Sequence, residues 1–449
     1  MGKLIKIRKG KDILLVGEAS PEMATPVSIR SYAVKPSDFK GVVPKMMVKA
    51  GDEVKAGTPI FHSKTNPEIV FCSPVSGEVA EIVRGDRRII LEVRIIADQD
   101  IKYVDLGKEN PTSLSRDAVK EKLKQSGVWP SIRQRPFNVI ADPMDTPKSI
   151  FISAFDSAPL APDYNFILKD EKSNLQAGID ALAKLTDGKV YMGLKHNAKA
   201  NDTFSGLSGV EFYEVSGPHP AGNVGVQIHH IDPVNKGDVV WVVNPQDLAV
   251  IGRVFTEGRY RNEKVIALAG SEVNKPSYHK VISGASIEPI LSGNIADGNN
   301  RIISGNVLTG THIESNGFLS HYDNMVTVIP EGTDYEFLGW LIPSYARPSI
   351  SKSFLYYLSP NKKFKVNTNT HGEERAFVVT GEYEKVFPMD IFPVQLLKAI
   401  LAKDLEAMEN LGIYEVVEED MALCEFVCTS KIDVQEILRE GLELMAAEG

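Results

Sequence analysis

Between residues 47 and 95, short apolar strands alternate with Ala-Gly and Gly-Asp turns. "MVKAGDEVKAGTPI" leads into "FHSKTNPEIVFCSPVSGEV" and then into "AEIVRGDRRIILEVRI". Strands this short, punctuated this often, cannot each bury a face in a broad open sheet. The rhythm is that of a small β-barrel or sandwich. Residues 1–100 are therefore constrained to a compact β module, and the rest of the chain must build its own cores.

That module resembles the biotinyl and lipoyl carrier domains, the barrel-sandwich hybrids in which a hairpin tip presents a lysine for modification. Their lysine stands a fixed short distance before a small-Pro-Val turn, here Ser73-Pro74-Val75-Ser76-Gly77. At that distance this chain has Asn66. Lys64 is out of register and is followed by Thr65, Asn66 and Pro67. The expectation is a carrier-like fold without the swinging arm, and against a carrier domain fused to an enzyme.

The 449 residues leave room for three or four domains. Lys and Arg number 50 against 59 Asp and Glu, a net charge of −9. No basic tract of the kind that tracks nucleic acid is present, so no nucleic-acid partner is expected. No apolar run approaches the roughly 18 residues of a membrane span; "VVWVV" at 239–243 is strand-length. The amino-terminal "MGKLIKIRKGKDILL" lacks the apolar core of a signal peptide. A cytoplasmic chain is expected, with any membrane role mediated by partners. Cys72, Cys424 and Cys428 are too few and too odd in number for a disulfide framework. Cys424 and Cys428 would share a helix face, but a four-cysteine cluster would need further ligands. Buried structural thiols are expected.

Along the chain, "DAVKEKLKQSG" (117–127) predicts a short helix ending at Gly127. "SIFISAF" predicts a strand, and "SNLQAGIDALAKLTDG" a helix with Ser173 as N-cap and a Leu175, Ile179, Leu182, Leu185 stripe. With "KVYMGLKH" and "GVEFYEV" as strands, residues 101–255 read as a doubly wound, Rossmann-like α/β domain. Residues 256–330 return to short strands. Residues 331–449 end in three helical patterns, the last placing Val434, Ile437, Leu438 and Met445 on one side.

Three groups of residues are candidates for chemistry. The Gly-Pro turn at 217–225 follows a strand and could admit a phosphate to backbone amides if a helix followed. Because "VQIHHIDPV" is β-branched and stops at Pro233, it reads as extended, and the phosphate reading is weak. On such a strand His229 and His230 point to opposite faces, leaving only His230 and Asp232 able to share a metal; ordinary structural histidines are the simpler expectation. The loop Arg133-Gln134-Arg135-Pro136-Phe137 sets two guanidinium groups beside an aromatic ring, a pattern suited to an anion, a redox ring or an acidic surface. No nucleophile–base, Walker or H-E-x-x-H pattern occurs.

Several stretches taken together resemble one family. They are "RQRPFNVIADPMDTPKSIFISAFDSAPLAPD" (133–163), "VSGPHPAGNVGVQIHHIDPV" (215–234), "NRIISGNVLTG" (300–310), "GEERAFVVTGEYEKVFPMDIFP" (372–393) and "EEDMALCEFVC" (418–428). In order and over the whole length, they resemble the A subunit of the bacterial Na+-translocating NADH:ubiquinone oxidoreductase (Na+-NQR). The resemblance implies a peripheral subunit on the cytoplasmic face of the bacterial inner membrane, assembled with the other five subunits, especially the membrane-embedded ones. That complex couples NADH oxidation and ubiquinone reduction to Na+ export. NADH, flavins and iron–sulfur centres would belong to partner subunits, with ubiquinone as this chain's possible ligand.

The family is also similar to the C subunit of the Rnf complex and to the flavin-binding subunit of complex I. This implies a β-grasp ligand-binding domain at 256–330. Those relatives carry a Gly-rich flavin loop where this chain has "SGVWPSIRQRPF"; Trp129, Ile132 and Arg133 replace glycines. They also hold an iron–sulfur cluster in a helical region where this chain keeps only Cys424 and Cys428. The expectation is a redox scaffold without flavin, cluster or metal and with no catalytic residue of its own. Arg133, Arg135, Phe137 and His219 are the expected quinone-contacting residues. The alternative, a self-sufficient flavin-dependent NADH dehydrogenase, is disfavoured by the missing glycines.

Overall fold

The computed structural model describes residues 3–197, 203–333 and 361–449, with 348, 358 and 359 between. The segment between the β-rich part and the helical end of the expected 331–449 region thus lies largely outside the described residues.

The 47–95 rhythm produces two small facing sheets. One runs Ser31–Val34, Ile90–Ala97, Gly77–Arg84, Glu53–Val54, and the other Pro44–Met46, Pro59–Ser63, Val70–Cys72. Alternating residues Val93 and Ile95 and, across from them, Val79 are fully buried between them, as the period of two requires, while adjacent Ile60 and Phe61 are both buried beside a register shift in their strand. The Ser73 hydroxyl donates to Val75 O at 2.6 Å and fixes the turn. Leu4–Lys6, however, leave this module and pair in parallel with Glu211–Ser216 of the next sheet. Three residues carry no alternation long enough to reveal which sheet they join.

That next sheet has seven strands in the order Leu4–Lys6, Glu211–Ser216, Lys189–Lys195, Ser149–Ser153, Val240–Val243, Ile132–Arg135, Val139–Ile140. The first five are parallel, Ile132–Arg135 runs antiparallel to Val240–Val243, and Val139–Ile140 runs antiparallel to Ile132–Arg135. Strand order reverses between Ser149–Ser153 and Val240–Val243, which creates a switch point at their carboxyl ends. The expected basic loop around Arg133 is instead the strand Ile132–Arg135, carried by pairing to Val240–Val243. Helix Arg116–Gln125 starts where Ser115 Oγ accepts from Ala118 N. Helix Lys172–Ala183 has Glu171, not Ser173, at its N-cap, and no side chain caps it. Its stripe is placed as read, with Leu175, Ile179 and Leu182 fully buried. The helix packs closely on Pro245–Thr256, because a Cβ on Gly252 would sit 1.8 Å from Asn174 O.

The clearest departure is at 224–231. "VGVQIHHI" is a helix, Val224–Ile231, after a turn ending at Asn223. Burying Val224, Val226, Gln227 and Ile228 outweighs the weak extended preference of β-branched residues. Residues 263–330 form a five-stranded sheet ordered Ser277–Ile282, Glu263–Ala269, Met325–Pro330, Asn300–Ser304, Thr311–Ile313. The carboxyl end supplies helices Pro393–Leu401, Leu405–Asn410, Glu418–Val427 and Val434–Glu448. The first predicted pattern breaks in two, with Lys403 in the left-handed region. Val434, Leu438 and Met445 are buried, and Ile437 is half-buried.

Candidate site where three domains meet

The β module, the α/β sheet and the five-stranded sheet converge on one aromatic crevice. The short turn Pro36–Asp38, entered through the fixed φ of Pro36, brings Lys35, Asp38 and Phe39 to the junction. The Phe39 ring centroid lies 4.5 Å from Phe71, 4.9 Å from His321 and 5.8 Å from Tyr322. Phe71 in turn stacks on Phe61 at 4.6 Å. Lys35 Nζ donates to Ser320 Oγ at 2.8 Å and to Phe318 O at 3.1 Å, and stands 3.6 Å from Asp38. Asp38 accepts from the His321 backbone N–H at 2.8 Å.

The crevice holds about 20 Å³, space for one water. Lys35, Asp38, Phe39, Phe71, Tyr260 and His321 are among its walls. His321 Nε2 is buried without a hydrogen-bond partner among the described residues. Burial, and then the nearby charge of Lys264, holds its imidazole well below the usual histidine range. Beneath it the fully buried Lys264 ammonium donates to His321 O at 2.7 Å and pairs with Asp247 at 2.8 Å. Burial pushes the Asp38 carboxyl up to about 6 against the opposing pull of Lys35. Tyr322 donates to Pro130 O at 2.6 Å, and the Arg133 guanidinium lies 5.2 Å above its ring. A neutral imidazole nitrogen, a carboxyl raised to about 6 and stacked rings could meet a flat, carbonyl-bearing ring only if the crevice opened.

The sequence-predicted residues are scattered around this point. Arg133 stands beside the crevice through Tyr322. Arg135 is 3% exposed and locked to Asp420 and Glu419, each at 2.7 Å. Phe137 packs edge-on to Tyr414 at 6.1 Å. His219 is buried 3.0 Å from Ser157 Oγ, and burial holds it down to about 4. Lys35, Asp38, Phe39 and His321 carry no motif, and nearly the whole β module and α/β domain separate the first three from His321. Only the "KPSDF" turn could have drawn attention to them.

The helix that does follow the 217–225 turn is already occupied at its amino end. A Cβ on Gly225 would lie 2.4 Å from Asp420 Oδ2, so the Asp420 carboxylate sits where an anion would. His230 and Asp232 do not converge. His230 Nδ1 contacts Val226 O at 2.8 Å, whereas Asp232 accepts from Ser149 and pairs with Lys148. His229 contacts Glu415 at 2.7 Å and accepts from Asp390 N at 3.0 Å. Cys72, Cys424 and Cys428 are buried, and burial pushes the Cys72 thiol up to about 12.

A β module, a mostly parallel α/β sheet and a five-stranded sheet in that order define a class of protein for which family models exist. The NqrA N-terminal barrel-sandwich hybrid domain matches residues 5–98, the NqrA second alpha/beta domain 114–260 and the NQRA C-terminal domain 265–315. Over 99% of this chain and 100% of theirs, it is 39% identical to the A subunit of the Na(+)-translocating NADH-quinone reductase of Serratia proteamaculans and 38% identical to that of Neisseria meningitidis serogroup B. The Rhodopirellula baltica protein is 39% identical over 99% of this chain and 98% of its own. The chain belongs to the NqrA family, the A subunits of Na(+)-translocating NADH-quinone reductase, and is one component of that multi-subunit translocase. The solved NAD+-reducing [NiFe]-hydrogenase is similar over 75% of this chain and 62% of its own, at 12% identity and a TM-score of 0.39, too slight a likeness to bear on function. Among the described residues no helix is long and apolar enough to cross a membrane.

Proposed function

We propose that this chain is the non-prosthetic subunit of the sodium pump, docked on the membrane-embedded members of the other five subunits at the cytoplasmic face of the bacterial inner membrane. There it couples to NADH oxidation and Na+ export by receiving ubiquinone rather than by carrying electrons on a cofactor of its own. The observation that carries this reading is the full-length similarity to the NqrA proteins, including the helical end. We read its parallel sheet as Rossmann-like and residues 263–330 as β-grasp.

Flavin and iron–sulfur centres are assigned to the partners on packing grounds. Where the relatives have glycines, the Trp129 indole is fully buried, donates to Ala141 O at 2.8 Å and meets Trp241 edge-on at 5.6 Å. That close packing of buried side chains supports the reading that no flavin enters there. Cys424 and Cys428 lie in the helical core, two thiols where a cluster would need four ligands.

Ubiquinone is proposed to present its head group at the three-domain crevice. Phe39 and Phe71 would offer ring faces and His321 Nε2 a hydrogen bond to a carbonyl oxygen. Arg133 would stand at the rim behind Tyr322, while Arg135, Phe137 and His219 hold the surrounding elements. The crevice as described admits one water, so the β module and the five-stranded sheet must part for a ring to enter. The reading is tested by adding the purified chain back to membranes whose translocase lacks this subunit. Restored Na+-dependent quinone reduction by a protein without flavin absorbance supports it. A yellow protein that oxidises NADH alone overturns it.

A further inference from the structure

The hairpin between Gly77–Arg84 and Ile90–Ala97 ends in a tip that no feature of the fold explains. The tip reads "RGDRRIIL" over residues 84–91. Its turn closes through Gly85 N to Ile89 O at 2.8 Å and Ile89 N to Asp86 O at 3.1 Å. Arg87 and Arg88 occupy the left-handed region at φ 52° and 64°, a conformation that disfavours long side chains. Arg84 donates to Arg88 O at 3.2 Å. Among the described residues, the Arg87 and Arg88 guanidinium groups have no ion-pair partner. The neighbouring carboxylates Glu81 and Glu92 are held instead by Arg94, leaving Asp86 as the tip's own acid.

Beside the three arginines, Ile89 is 60% and Leu91 44% exposed while Ile90 between them is buried. Ile89 immediately precedes the strand Ile90–Ala97 in an extended conformation, and continuing the strand's alternation puts it on the face of Leu91. Single exposed aliphatics are ordinary. Two on one face of a hairpin tip, ringed by three arginines in a chain of net charge −9, are a local inversion of the molecule's character. A tip of this kind, apolar at its end and basic at its shoulders, fits a deformable anionic surface.

We propose that residues 84–91 are a lipid-contact site. Arg84, Arg87 and Arg88 donate to the phosphates of anionic headgroups, and Ile89 and Leu91 enter the headgroup–acyl boundary. This rests on the reading that the chain sits on a membrane complex, and adds a direct bilayer contact to attachment through partners.

The test is co-sedimentation of the full chain with phosphatidylcholine vesicles, with and without phosphatidylglycerol, over a salt series. Binding is expected only with phosphatidylglycerol and is expected to weaken with salt. Arg87→Asn/Arg88→Asn, which keeps residues tolerant of the left-handed backbone, should weaken partition about 25-fold, at about fivefold per arginine. Ile89→Asp should weaken it further, and both variants should melt as the parent does. Equal sedimentation with both vesicle types, or parental binding by the double asparagine variant, overturns the proposal. If the chain joins the membrane complex yet ignores vesicles, only this inference fails. If it binds vesicles but never joins the complex, the functional reading fails instead.

Discussion

Two interdomain junctions in this molecule use the same residue types to opposite ends. Where the α/β sheet meets the carboxyl-terminal helices, Arg135 is tied to Asp420 and Glu419. Asn223 donates to Glu419 O at 2.9 Å, and Asp420 accepts from Val417 N at 3.1 Å. Where the β module meets the five-stranded sheet, Asp38, Lys35 and His321 surround a small void, and one imidazole nitrogen has no partner among the described residues. A buried charge cluster paired across the junction, even with Asp420 Oδ1 left unbonded among the described residues, holds domains in register. An aromatic crevice with an unmet hydrogen-bonding group could take a ligand larger than water only once its walls part. The first junction was the more legible in the sequence, because arginines beside a phenylalanine stand out. The second holds only about 20 Å³ as it stands and could act only by opening.

The largest difference should appear on removing one charge from the closed junction. Arg135→Met leaves Asp420 buried and uncompensated, and should cost about 3–5 kcal/mol in denaturant unfolding. A loss under about 1 kcal/mol would mean the junction is wet and the comparison wrong.

The two regions should also answer pH in opposite directions. Asp38 is raised from 3.8 to about 6, so its stabilising contribution is complete below about pH 4 and lost as pH climbs through 6, roughly 3 kcal/mol in all. His219 is lowered from 6.5 to about 4, so its contribution is complete above about pH 6.5 and lost as pH falls through 4, again roughly 3 kcal/mol. Stability against pH for Asp38→Asn and His219→Asn, each subtracted from the parent, should show slopes of opposite sign.

Gly225→Ala drives a methyl into the Asp420 carboxylate and should cost about 1–3 kcal/mol, read as a lowered melting temperature. At the small end, His321→Phe keeps the ring stack and removes an unpaired nitrogen, so stability should stay within about 1 kcal/mol of the parent. A large loss would show that His321 is a structural residue like His219.

The sequence carried the order of domains and most long elements, because hydrophobic periodicity and capping act locally. Leu175, Ile179 and Leu182 are where a helix stripe puts them, and the strand rhythm of 47–95 survives as two facing sheets. It failed where tertiary burial overrides local preference. Val224–Ile231 is helical because its apolar residues face the core. Ile132–Arg135 is a strand because Val240–Val243 offers it a ladder. The crevice was illegible for another reason. Phe39 and His321 meet only because two domains fold against each other, and no spacing in one sequence encodes that contact.

The most direct test of the account is a titration of the isolated, folded chain with a short-chain ubiquinone analogue, following tryptophan fluorescence, to which Trp129 contributes as the neighbour of crevice residue Pro130. The account predicts saturable quenching that is lost in His321→Phe, weakened in Arg133→Ala and retained in a conservative change at the closed junction, Glu419→Gln. Quenching that is indifferent to His321 and Arg133 would contradict it, as would no binding by the folded parent, and either would leave this chain with a docking role only.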